Sequence, residues 1–199
     1  MKIKTTLIVL AAGLTVLPAF GQEEFTQKQE VTVLGFGDFL KSTTSNGVRN
    51  DAENTGGVLA SYRYFFNQHN GVEANYAFSN FRNRYGVGST LTSLQTRSHE
   101  VSAAYIFRLS PIKRITPFVE AGVGGIVFDP KSFSGASAQA RAAFVYGGGA
   151  DVNLSRHIYV RAEYRGLVYN SPTWGVSALN GFDRVTHTAE PALGIGYRF

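Results

Sequence analysis

The chain has 199 residues, of which 44% are hydrophobic and 17% charged, with 22 glycines, 13% aromatic residues and a formal net charge of +5. This length suits one domain, and the many glycines and aromatic residues favour β-sheet over long helices. Because cysteine is absent, the sequence excludes a disulfide framework, a thiolate metal site, a cysteine nucleophile and a lipid-modified cysteine. Beyond the first twenty residues, no apolar run approaches the ~20 residues of a membrane-spanning helix.

The N-terminus has the pattern of a secretory signal peptide. Two lysines precede an apolar stretch over residues 5–17, and residues 19–21 place small side chains at a cleavage position. The apolar stretch is too short for a membrane anchor. We therefore predict that the protein is exported, that residues 1–21 are removed, and that residues 22–199 form one β-barrel domain.

Eight stretches of alternating apolar and polar residues follow, separated by turn-forming residues. Most of them have about ten residues or more, the length that a tilted membrane-spanning strand requires, whereas other strands average about 5–6 residues. The predicted strands are residues 31–40, 56–66, 71–81, 97–109, 115–128, 139–153, 157–169 and 185–199.

Short and long connections alternate between these strands. Tight turns are predicted at residues 67–71, 110–114 and 154–156. Longer polar segments are predicted near residues 41–55, 82–96, 129–138 and 170–184. This alternation is typical of an up-and-down barrel with turns at one end and loops at the other.

Within each predicted strand, charged residues fall on one face and apolar residues on the other. The charged face collects Arg63, Arg108, Arg141, Arg161, Arg165 and Arg198, with Asp38, Glu73, Glu100, Glu120, Asp151, Glu163 and Glu190. A soluble barrel would turn these charges to water, whereas a membrane barrel turns its apolar face to lipid and pairs the charges inside. The near balance of signs favours pairing, because an unpaired buried charge costs several kcal/mol. The sequence therefore predicts an all-β fold, an eight-stranded antiparallel up-and-down transmembrane β-barrel.

The interior of this barrel is expected to be plugged by salt bridges. Eight strands enclose room only for their own side chains, and arginine pairs bidentately with carboxylates. Glu163, between Arg161 and Arg165, is expected to be a partner that both arginines need. The first strand is less regular, since its apolar residues fit no single alternation, and Asp38 is assigned to the charged face despite this.

Aromatic residues cluster at both ends of the predicted strands. The ends that face the tight turns carry Tyr62, Tyr64, Phe66, Tyr105, Phe107, Tyr197 and Phe199. The opposite ends carry Phe39, Phe78, Phe81, Phe128 and Tyr169. Two aromatic belts around an aliphatic band indicate the two interfaces of a bilayer.

The last seven residues alternate apolar side chains and end in phenylalanine. They resemble the C-terminal assembly signal of Gram-negative outer-membrane barrels, carried here by Leu193, Ile195, Tyr197 and Phe199. With the signal peptide and eight strands, the chain resembles the small eight-stranded outer-membrane β-barrel family that includes the OmpA transmembrane domain and the opacity-type porin proteins. The resemblance implies localisation in the cell outer membrane, contact with outer-membrane lipid and lipopolysaccharide, and recognition by the barrel-assembly machinery. No peptidoglycan-binding domain follows the barrel, so cell-wall tethering is not expected.

The histidines do not form a catalytic arrangement in the sequence. His69 and His157 lie in or beside tight turns, while His99 and His187 share the parity of lipid-facing residues. The acids beside the latter two fall on the opposite strand face and cannot reach the same substrate. We expect no enzyme activity, no cofactor and no metal site.

Arg82, Arg84 and Arg97 make the second long connection basic. They are candidates for contact with lipopolysaccharide phosphates, and ordinary loop solubility is the alternative. The expected function is structural or adhesin-like, with loops displayed to an unknown extracellular partner by a monomeric barrel that binds no nucleic acid. The alternatives are a narrow channel for small solutes, a lipid-acting outer-membrane enzyme and a soluble lipocalin-like barrel.

Overall fold

The computed structural model describes residues 27–40, 43–45, 48–52, 55–87, 90–130, 138–171 and 185–199. The strands are β1 (Gln29–Leu40), β2 (Thr43–Ser45), β3 (Val48–Ala52), β4 (Thr55–Phe65), β5 (Asn70–Val87), β6 (Thr90–Arg108), β7 (Ile115–Pro130), β8 (Gln139–Asn153), β9 (Ile158–Asn170) and β10 (Val185–Arg198). Within these ranges, no helix has the length and apolar character needed to cross a membrane. The predicted signal peptide lies outside the described residues.

Eight long strands close into one antiparallel barrel. They follow the order β1, β4, β5, β6, β7, β8, β9 and β10, and β10 pairs again with β1. This seam runs from the pair Glu30–Arg198 to the pair Leu40–Thr188. Closure satisfies the backbone hydrogen bonds of every wall strand, as a hydrocarbon environment requires. The predicted eight-stranded barrel is confirmed.

Tight turns close one end of the barrel, which we call the turn end. In the first, the Phe66 amide donates to the Asn70 carbonyl over 2.8 Å, and Asn67 Oδ1 accepts from the amides of His69 and Asn70. In the second, Lys113 adopts a positive φ of 58°. The opposite end of the barrel is the loop end.

Two predicted loops at the loop end are largely strand. β5 and β6 stay paired from the barrel wall up to the pair Val87–Thr90, and β3 adds to β5 from Ala52–Asn83 to Val48–Val87. The predictions for residues 41–55 and 82–96 were therefore wrong. Above the membrane both faces of a strand meet water, so these strands need no apolar alternation that a sequence pattern could reveal.

The outer wall of the barrel is apolar and the inner wall is filled. Outward hydrophobic side chains at mid-strand are strongly exposed, with Val101 at 64%, Val123 at 67% and Leu193 at 62%. The inward neighbours of Val101, Glu100 and Ser102, are buried. In water, this apolar exterior would be unfavourable, whereas in lipid it is the expected surface.

β1 alternates without interruption, contrary to the irregular phase expected from its sequence. Glu30, Thr32 and Asp38 are buried together with Leu34 and Phe36. The two hydrophobic side chains point inward and form an apolar layer with Leu59, Ala77 and Ala192. Apolar residues on the inner face hid the alternation in the sequence.

The aromatic belt at the turn end lies on the outer wall, with Tyr197 and Phe199 in edge contact at 5.1 Å between ring centroids. The loop-end belt is smaller than expected. Phe128 and Tyr169 are buried inside the barrel, with ring centroids 5.7 Å apart. Their assignment to the outer wall was wrong, because both share the inward parity of their strands. The Phe81 side chain lies outside the described part.

Replacing Val123 by arginine tests which wall meets lipid. Val123 lies at the centre of β7, so a charge there should destabilise the barrel in liposomes by about 2–4 kcal/mol. Val123→Leu is the matched control and should cost far less. The measurement is the free energy of unfolding in urea, and an unchanged value for Val123→Arg would contradict the placement of this wall in lipid.

Candidate functional site

The inner wall carries a network of arginines and carboxylates. Of the twelve residues expected in the lumen, eleven are buried and Arg141 is half-buried. The buried ones are Arg63, Glu73, Glu100, Arg108, Glu120, Asp151, Arg161, Glu163, Arg165, Glu190 and Arg198. Asp38 and Glu30 are buried on the same wall.

Glu30 is the centre of the network at the turn end. Its Oε1 accepts from Arg108 Nη2 over 2.6 Å and from Arg198 Nε over 2.7 Å. Its Oε2 lies 3.3 Å from Arg161 Nη2 and accepts from the Tyr159 hydroxyl, also over 3.3 Å. Three guanidinium groups from three other strands therefore converge on one carboxylate of β1.

Asp151 is the second carboxylate of this end. Arg161 pairs with it bidentately, with Nε 2.7 Å from Oδ1 and Nη2 3.1 Å from Oδ2. Arg198 Nη2 lies 3.3 Å from the same Oδ2 and its Nη1 donates to Asn153 Oδ1 over 2.5 Å. Bidentate pairs of this kind hold both position and orientation.

Aromatic rings pack against several of the guanidinium groups. Arg63 stacks on Phe118 at 4.0 Å from the ring centroid, and Arg108 on Phe65 at 3.7 Å. Phe65 and Phe118 pack with Ile106 in one buried cluster. Cation–π contact is strongest where water is excluded, so this layer favours charged arginine inside the barrel.

The middle of the lumen is rich in acid. Arg63 bonds to Glu73 and lies 3.6 Å from Glu120 Oε2 and 3.8 Å from Glu163 Oε2. Neither carboxylate oxygen of Glu120 accepts a hydrogen bond, and neither does Glu163 Oε2. Glu163 Oε2 also lies 4.0 Å from Arg161 Nε, so Glu163 is near one of the two arginines beside it in sequence without accepting a hydrogen bond through this oxygen.

Arg165 is the main cation toward the loop end. It donates to Glu100 Oε1 over 2.5 Å, to Glu190 Oε2 over 3.0 Å and to Ser102 Oγ over 3.4 Å. Its Nε lies 3.9 Å from Glu120 Oε1. One guanidinium is thus shared among three carboxylates.

Most of the ion pairs are of two kinds. Cross-strand pairs join directly opposed residues of neighbouring strands, as in Arg63–Glu73, Asp151–Arg161 and Arg165–Glu190. Cross-lumen pairs join strands that are not neighbours. They include Arg108–Glu30, Arg165–Glu100, Arg63–Glu120, Arg63–Glu163 and Arg161–Glu73. The cross-lumen pairs thus connect strands through the interior of the barrel.

Sequence reasoning missed Glu30, Tyr159 and Asn153. Glu30 precedes the predicted start of the first strand by one residue, yet it shares the parity of Thr32 and Asp38, which is the signal that could have identified it. Including it gives eight carboxylates against six arginines on the inner wall.

The other candidate residues whose side chains are described lie outside the lumen. His99 Nδ1 and His187 Nε2 each share a 2.8 Å hydrogen bond with a tyrosine hydroxyl, of Tyr76 and Tyr146 respectively. Arg97 is exposed on β6, and the side chains of Arg82 and Arg84 lie outside the described part. The assembly-signal residues Leu193, Ile195, Tyr197 and Phe199 are exposed on the outer wall. Among the described residues, no three histidine or acidic side chains are placed to hold a metal.

A closed antiparallel barrel with an apolar outer wall and paired charges inside defines a transmembrane β-barrel. The family model described as outer membrane protein beta-barrel domain matches residues 7–199. The chain belongs to this family, which places it in the outer membrane.

Solved structures support the same fold. OprG from Pseudomonas aeruginosa has 16% sequence identity and a TM-score of 0.61, covering 86% of this chain and 96% of that chain. Neisserial surface protein A (NspA) has 11% identity and a TM-score of 0.62, with 86% and 97% covered. Ail, the attachment invasion locus protein of Yersinia pestis, has 21% identity and a TM-score of 0.52, with 87% and 99% covered. No curated protein matches the sequence.

Glu30→Gln tests the centre of the network. The amide keeps the shape but removes the charge that three guanidinium groups share, so unfolding measured in liposomes should become easier by about 3–5 kcal/mol. Glu163→Gln is the matched control and should cost much less, since its Oε2 accepts no hydrogen bond. Equal costs for the two variants would show that Glu30 has no special position.

Proposed function

We propose that this protein is a non-enzymatic surface-interaction barrel, closed to solutes, whose loop end binds an extracellular partner. The cross-lumen ion pairs carry the proposal. Arg108–Glu30 and Arg165–Glu100 join strands that are not neighbours at two heights, over 2.6 Å and 2.5 Å. Both contacts lie across the path that a solute would take, which favours binding over conduction.

The paired strands at the loop end support a role in presenting a binding surface to a partner. β6 pairs with β7 only from Thr96, so residues 90–95 continue beyond that wall while still paired with β5. β3 pairs with β5 there, and β2 pairs with β3. These segments form one four-stranded antiparallel sheet, which we call the display sheet. A sheet presents a more ordered binding surface than an unpaired loop.

The names of two proteins with the same fold favour a role at the cell surface. One is a surface protein, NspA. Ail is an attachment invasion locus protein and was also solved in complex with the heparin analogue sucrose octasulfate, in a structure with a TM-score of 0.50 to this chain. The display sheet contains Arg49 and Arg84 in its sequence. A sulfated polysaccharide is therefore the first ligand to test.

Shortening the display sheet tests the proposal. Arg82 and Gln95 are opposed in the register, so replacing residues 83–94 by Asn-Gly fits a two-residue hairpin. Bacteria that carry this variant should bind immobilised heparin and extracellular matrix at least about tenfold less than wild type, a loss of roughly 1.4 kcal/mol.

The control replaces Ser110 by glycine in a tight turn, which should leave binding unchanged. Heat-dependent mobility on gels checks that each barrel is folded. Unchanged adhesion of the shortened variant would contradict the adhesive role, and steady conductance of the wild type in planar bilayers would contradict the closed lumen.

We also propose that Arg97 contacts lipopolysaccharide phosphate. It is exposed on β6, directly opposite Asn80 of β5. Arg97→Gln should reduce the gain in thermal stability that the purified barrel obtains from added lipopolysaccharide, because one charge-assisted hydrogen bond is lost. The control is Arg156→Gln, which changes an exposed arginine at the turn end. An equal gain for Arg97→Gln and wild type would contradict the contact.

A further inference from the structure

A small cavity lies in the lumen above Arg165, toward the loop end. Its volume is about 20 Å³, counted as the space open to the centre of a water molecule. The lining combines Phe36, Phe128, Leu167 and Tyr169 with the carboxylates of Asp38, Glu100 and Glu190. None of the described residues that line it is lysine, arginine or histidine. It is independent of the display sheet.

Asp38 is the unusual member of this lining. Its side chain is only 6% exposed, and its Oδ1 is buried without a hydrogen-bond partner. Arg165 is already shared among Glu100, Glu190 and Glu120. A buried carboxylate oxygen without a donor is costly, so this geometry calls for a group that brings both positive charge and N–H or O–H donors.

The lining restricts the chemistry of that group. No three acidic or histidine side chains in the described ranges are placed to ligate a metal, which argues against a directly bound metal ion. A space of 20 Å³ accepts roughly one water-sized group. An ammonium group has this size and three donors. Aromatic rings attract ammonium groups through cation–π contact, and the rings of Phe36 and Phe128 would also contact an attached methylene chain.

We propose that this cavity binds the terminal ammonium group of an extended alkylamine, with Asp38 as its principal acceptor. The positive charge offsets the surplus of acid around Arg165, and the N–H donors reach Asp38 Oδ1 and the neighbouring Glu190. Two sources share this chemistry, a free polyamine and a lysine side chain of a peptide.

The test is a calorimetric titration of the folded mature barrel, in detergent micelles, with n-butylammonium chloride. We expect saturable binding to wild type and at least roughly tenfold weaker binding to Asp38→Asn, the loss of one hydrogen bond to a charged group. Asp129→Asn is the matched control, because it removes a carboxylate near the end of β7 that does not line the cavity. Its affinity should equal that of wild type.

A second variant and two further ligands complete the test. Ser98→Leu fills the cavity while keeping all three carboxylates, so it should also abolish binding. This variant tests the site even if Asp38→Asn fails to fold. Tetramethylammonium, which has no N–H donor, should not compete. Tighter binding of 1,4-diaminobutane than of a blocked lysine peptide identifies a free polyamine as the source, and the reverse order identifies a peptide.

Three results would overturn the proposal. They are the absence of saturable butylammonium binding to wild type, equal affinity in Asp38→Asn, and equal competition by tetramethylammonium.

Discussion

The contact between Glu30 and Arg198 lies at the seam that closes the barrel and also belongs to the charge network of its interior. These residues are directly opposed at the turn end of the seam where β10 meets β1, and their side chains bond over 2.7 Å. The same carboxylate receives Arg108 from β6 and Arg161 from β9. Since lipid outside offers no partner for charge, the strands that carry these groups are stabilised only when the wall is complete. Closure and charge pairing therefore depend on each other.

Alternation in the sequence predicts which face a residue occupies, but not which partner it meets. Arg161 and Glu163 were assigned correctly to the inner wall, while their partners depend on the tilt of the strands and on the stagger between them. Arg161 bonds to Asp151 of the neighbouring strand and also reaches Glu73 across the lumen. Glu163 makes no hydrogen bond through Oε2. No spacing rule along one strand contains this information.

Alternation also fails where the environment of the two faces is alike. Leu34 and Phe36 belong to an apolar layer inside the barrel. Because their neighbours in sequence face lipid, the inward and outward residues of β1 differ little in polarity. Phe128 and Tyr169 are inward aromatics that the belt pattern assigned outward. The upper parts of β5 and β6 extend past Thr96, where β6 begins to pair with β7, so they do not require one apolar face. In each case the contrast that a sequence pattern requires is absent.

The two strands that build most of the display sheet are also anchored deep in the network. β5 contributes Glu73, which bonds to Arg63, and β6 contributes Glu100, which bonds to Arg165. Both strands continue without a break from these buried pairs to Val87 and Thr90. A continuous hydrogen-bonded ladder restricts the motion of its outer part more than a loop connection does, and less ordering entropy then remains to be lost on binding. The ion pairs inside the barrel thus also restrict the motion of the sheet at its loop end.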